Sequence, residues 1–167
     1  MLALYFISVF VHILMATIWL GGSVLVILLY QREIKNGNHG SSDLSNHYLK
    51  IQTFRRLSWI CFFILFVTGL YNLFVRGYNW YDLFGSEFWL GYFGETLMVK
   101  LLLFTGVLAC AAVNDFLLRN LNTGKPYIQS EETIRLNKKS FLLLRLNLVL
   151  GFCILFCAVM LVRGRPW

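Results

Sequence analysis

The sequence predicts an all-α integral membrane protein, a four-helix bundle with its N-terminus and C-terminus outside. Three observations predict it: the composition, four long apolar runs, and the uneven placement of basic residues. Of 167 residues, 58% are hydrophobic, 17% aromatic and only 14% charged, and the mean hydropathy is +0.66. A soluble domain carries roughly 25% charged residues. A hydrocarbon core about 30 Å thick needs roughly 20 apolar residues of helix to cross it. Four runs qualify, at about 2–30, 57–75, 93–118 and 141–162, and together they form one transmembrane domain over 1–167.

The first run carries no charged side chain until Arg32. It has no basic leader segment and far exceeds the apolar core of a signal peptide, so it is expected to remain as a helix. The connection that follows, about 31–56, contains "NGNHGSSDLSN", a Gly/Ser/Asn/Asp cluster read as loop. Between the second and third runs, "RGYNWYDLFGSEFWLGYFG" interleaves Trp and Tyr with Gly. Such a segment suits the headgroup layer, partly helical and lying along the outer surface. The last connection, about 119–140, holds "SEETIRLNKKS", in which Ser130 is positioned to cap a short helix leading into the fourth run.

The net charge of +7 is concentrated in the first and last connections, which carry Arg32, Lys35, Lys50, Arg55, Arg56, Arg119, Lys125, Arg135, Lys138 and Lys139. On the other side stand Arg76, Arg163 and Arg165. The positive-inside rule then puts both basic connections in the cytoplasm of a bacterial-type inner membrane. Basic groups so placed meet anionic membrane lipids, and a nucleic-acid partner is not expected. The four cysteines, Cys61, Cys110, Cys153 and Cys157, all lie within runs, which does not indicate a secreted disulfide framework.

Leucine packs as well on lipid as on protein, so small and polar side chains mark the inward faces of membrane helices. On the first run Ser8, His12, Met15, Ala16, Trp19, Gly22 and Ser23 share a face by steps of three and four. Cys61, Leu65, Thr68 and Asn72 do so on the second. Thr96, Lys100, Phe104, Val107, Ala111 and Asn114 do so on the third, and Arg145, Asn147, Gly151, Cys153 and Cys157 on the fourth. His12 is the sharpest candidate for chemistry, because an ionisable residue inside a span is costly and a neutral imidazole is a ligand for haem iron and for copper. Its bland alternative is a hydrogen bond to a neighbouring helix. Lys100 is open between snorkelling to the interface, a counter-charge for a propionate or anionic ligand, a proton carrier, and an axial ligand after deprotonation. Trp19 and Arg145 complete the candidate cofactor-binding set, and Arg145 is also placed to snorkel or to pair with Asp115. Cys153 with Cys157, Met15 and Met160 are soft donors for Cu(I) that read first as packing residues.

"VHILMATIWLGG" resembles the first core helix of the copper-resistance D (CopD) domain, in which a histidine precedes Trp-x-Gly-Gly. "FVTGLYN" is similar to its Thr-Gly-containing second helix. "FGETLMVKLLLFTGVLACAAVNDFLL" resembles its third, with Lys100 at the lysine of Gly-x-x-Leu-x-x-Lys, and "LRLNLVLGFCILFCAVMLVRG" resembles its last. A related pattern, histidine on the first helix and lysine on the third, is found in the HemJ-type protoporphyrinogen oxidases. That resemblance implies His12 as ligand of a b-type haem, Lys100 as an essential partner, and basic residues such as Arg55 and Arg56 before the second helix. After Gly-Gly the chain reads "SVLVILLYQRE", without the Pro-Arg and following histidine of the oxidases, so whether it is an enzyme stays open. Three functions follow as expectations. The first is a haem-b protein serving electron transfer or a larger membrane redox complex with other membrane subunits. The second is copper transport or handling, and the third a structural accessory subunit without cofactor.

Overall fold

In a computed structural model the protein is described for residues 2–36, 41–79, 81, 85–122 and 131–163. Helix accounts for nearly all of them, and there is no strand among the described residues. The helices are α1 (Leu2–Asn36), α2 (Ser41–Val75), the short α3 (Ser86–Leu90), α4 (Tyr92–Asn122) and α5 (Glu131–Arg163). Segments Ala3–Leu29, Thr53–Val75, Tyr92–Leu117 and Lys139–Val162 are long and apolar enough to cross a membrane, in agreement with the four expected runs.

The helices outrun the spans. The Gly/Ser/Asn/Asp cluster expected to be loop is one only in part, since α1 continues to Asn36 and α2 already begins at Ser41. Ser-Ser-Asp is a sequence of the type that starts helices, and this preference outweighs the loop-like composition. Similarly, the helix expected ahead of the last span is continuous with it from Glu131 onward; the cap expected at Ser130 lies outside the described residues.

The chain divides into two compact units, Met1–Leu83 and Phe84–Trp167. In the first, α1 and α2 pack along their length as an antiparallel pair. His12 meets Thr68, Trp19 meets Phe62 and Gly22 faces Phe54, so numbering falls along α2 as it rises along α1. Trp19, Leu20, Ser23 and Ile27 of α1 and Ser58, Cys61, Phe62 and Leu73 of α2 are buried. Small residues let the backbones approach: Ser23 and Ser58 return their hydroxyls to their own helices, at Trp19 O (2.8 Å) and Phe54 O (2.9 Å), and so bring no unpaired donor into the seam. α2 is followed by a turn at Gly77, whose φ of +93° only glycine adopts without strain and whose N–H reaches Phe74 O at 3.0 Å.

In the second unit α4 and α5 form the corresponding pair. Val107, at 0% exposure, is buried in it, as are Asn147 and Gly151. Ser140 Oγ donates to Asn114 Oδ1 at one end, and Tyr92 OH donates to Met160 O at 3.4 Å at the other. α3 packs back on the first turn of α4: Gly91 is extended, and the Phe88 ring stands edge-on to Phe93 at 6.1 Å. This is the helical part expected of the Trp/Tyr-rich connection.

The outward faces decide the solvent. Phe6, Phe10, Phe63, Leu102, Phe116, Leu142 and Phe156 are each more than 60% exposed. In water, apolar patches of that extent drive association, whereas lipid solvates them without cost.

Candidate functional site

α1 carries His12 nine residues into its span, about 14 Å along the helix axis. The periodicity that put Ser8, His12, Met15, Ala16, Trp19, Gly22 and Ser23 on one face is observed: each is buried or half-buried, while Ile13, Leu14, Thr17 and Ile18 between them are exposed. The same holds on α2 for Cys61, Leu65, Thr68 and Asn72 against Phe63, Phe66 and Val67.

The two faces meet at His12. Its Nδ1 lies 2.7 Å from Thr68 Oγ1. Thr68 in turn donates its hydroxyl proton to Ile64 O at 2.6 Å, with Leu65 O at 3.3 Å. Gly69 lies alongside the ring, where a Cβ would stand 3.6 Å from His12 Cε1. One turn toward the N-terminus of α1, Ser8 on α1 and Asn72 on α2 occupy one level of the antiparallel pair, and Ser8 Oγ and Asn72 Oδ1 are buried without a hydrogen-bond partner among the described residues. Two turns in the other direction Trp19 packs edge-on to Phe62 (5.1 Å), which packs edge-on to Trp59 (5.9 Å). Imidazole, hydroxyl, amide and aromatic groups thus line one seam at membrane depth.

In the second unit Lys100 is half-buried, two turns from Val107 on the same face of α4, as its spacing implied. Arg145 does not share the inward face of α5 expected for it, and its exposure suits the snorkelling reading. It is exposed, and its guanidinium stacks over the Phe141 ring at 4.3 Å, one turn away on α5. A long cationic side chain gains from a ring face and reaches the interface without turning inward. Cys153 and Cys157 also part company, the first exposed and the second buried. Met160 contributes its carbonyl, to Tyr92, and its burial is partial. Among the described residues no three His, Cys, Asp or Glu side chains come together as a metal cluster.

A family model described as copper resistance protein D matches residues 49–161. The chain belongs to the copper resistance protein D family. Comparison with curated proteins and with solved structures gives no match. The CopD match takes in Thr68, Lys100, Arg145 and all four cysteines, and it begins within α2. His12 lies ahead of it on α1, joined to the matched region by the bond to Thr68. The sequence marked both members of that pair as inward-facing. The orphaned Ser8 and Asn72 oxygens were legible only as polar positions on those faces.

Proposed function

We propose that this CopD-family membrane protein handles copper ions, with the His12 imidazole as the donor that receives the ion inside the span. The observation that carries the reading is His12 itself: an imidazole held at membrane depth by a residue within the family-matched segment. Imidazole suits copper, and an ionisable side chain kept inside a span marks a substrate or ion path by default. Met15, three residues on and half-buried on the same face, offers a thioether of the kind that suits Cu(I). Copper here is cargo. In this reading both termini lie outside a bacterial-type inner membrane, an orientation that the basic connections favour by the positive-inside rule.

A second reading puts a b-type haem on the same histidine, within a larger membrane redox complex. It is favoured by the aromatic run of Trp19, Phe62 and Trp59 along the seam. The residues present fit such a group with one axial ligand, His12, and haem would supply electron-transfer chemistry there.

The test is copper content and copper sensitivity of cells producing the protein or its His12→Ala variant at equal membrane levels. Copper handling predicts that the wild type changes both and that the variant does neither. Identical behaviour of the two would overturn the proposal.

A further inference from the structure

We infer that Thr68 is a positioning residue that fixes the tautomer of His12, so that Nε2 is the atom that meets the ion. The inference deepens the copper reading and rests on it for the identity of the ligand. It begins with proton counting. A threonine hydroxyl has one proton and two acceptor lone pairs. In Thr68 the proton is committed to the carbonyl one turn back, Ile64 O at 2.6 Å, with Leu65 O sharing it at 3.3 Å. With the proton so placed, Thr68 Oγ1 meets His12 Nδ1, 2.7 Å away, as an acceptor. The proton in that bond belongs to His12 Nδ1.

A neutral imidazole carries one N–H, so placing it on Nδ1 puts the basic lone pair on Nε2. This is the arrangement by which metal-binding histidines are oriented: one ring nitrogen donates to an oxygen while the other ligates. Here the orienting oxygen is a hydroxyl whose own direction is set by the α2 backbone, so the chain of command runs from a helix carbonyl through Thr68 to the imidazole. The surroundings hold the ring as well as the proton. Gly69, next to Thr68, lies beside the ring, where even a Cβ would be in ordinary contact with Cε1 at 3.6 Å, and Thr68 is β-branched, with few χ1 states inside a helix. Serine retains both hydroxyl functions and valine retains the shape without either.

The experiment uses the full chain in detergent with isotope-labelled histidine, at a pH where imidazole is neutral. The side-chain nitrogen signals of His12 are assigned by their loss in His12→Ala. In parallel, Ag⁺, a redox-inert probe for Cu(I), is titrated against the same samples. The wild type should show a protonated Nδ1 and an unprotonated Nε2. Thr68→Val should move the proton toward Nε2 and lower Ag⁺ affinity by about 10–100-fold, and Thr68→Ser should restore both. Thr68→Ala, which removes the acceptor and adds no bulk, should repeat the valine result. An Nε2–H tautomer in the wild type overturns the inference, as does a valine or alanine variant that keeps the wild-type signals or affinity. Wild-type protein that takes no Ag⁺, with the tautomer still following residue 68, sinks the copper reading and leaves Thr68's control of the imidazole standing.

Discussion

Neighbouring glycines on α1 should respond in opposite ways to one added methyl group. A Cβ at Gly21 would meet nothing within 4 Å, whereas a Cβ at Gly22 would stand 3.0 Å from Phe54 Cδ2, 3.3 Å from Cζ and closer still to Cε2. Carbon atoms are comfortable at about 3.5–4.0 Å, so the Phe54 ring has to withdraw from the α1–α2 seam. Either alanine gains the helix-propensity difference, about 0.8–1.0 kcal/mol. Gly22→Ala also incurs overpacking of about 1–3 kcal/mol. Gly21→Ala should therefore be stabilising by up to about 1 kcal/mol, and Gly22→Ala should lie about 1–3 kcal/mol below it. The assay is loss of helicity on titrating the detergent-solubilised protein with a denaturing detergent. Adding Phe54→Leu to Gly22→Ala should recover part of the loss, a coupling that a double-mutant cycle isolates. Equal stability of the two single variants, or Gly22→Ala as the more stable, would refute the packing of α1 on α2 described above.

Other positions give sharper or opposite outcomes. At Gly94 a Cβ would run into Phe88 O, with Phe88 C at 2.8 Å and Trp89 Cα at 2.9 Å. Backbone cannot swing aside as a ring does, so Gly94→Ala should detach α3 from α4, read as increased proteolysis or amide exchange over residues 85–91. Asn147 is buried with its Oδ1 lacking a hydrogen-bond partner. Asn147→Leu removes that buried oxygen and should leave stability unchanged or raise it by up to about 2 kcal/mol, whereas a comparable loss would show the amide to be satisfied. Ser140→Ala deprives Asn114 of its donor and should cost about 0.5–1.5 kcal/mol in the same titration.

What the sequence revealed follows the physics of each signal. Spans were legible because the length of an apolar run is set by bilayer thickness, and the inward faces of α1 and α2 because lipid leaves only small and polar residues to mark contact. The same rule failed for Arg145. It treats any polar residue as inward, but a guanidinium with a ring beside it is stable at the lipid boundary. Composition misjudged residues 41–46, where Ser and Asp read as loop although they also begin helices. The partnership of His12 with Thr68 was implicit in their faces. Its polarity was not, because it depends on where Thr68 sends its own proton, a detail of one helical turn. Close approach at Gly94 was equally hidden, since α3 is only five residues long.

If His12 receives copper, the metal must follow that side chain. Metal analysis of the purified protein after exposure to Cu(I), with a reduced-minus-oxidised absorption spectrum of the same sample, tests it most directly. Copper binding at His12 predicts one copper per chain in the wild type, none retained by His12→Ala, and no b-type haem band. Copper that survives the substitution, or stoichiometric iron with a haem band that disappears with it, would contradict it.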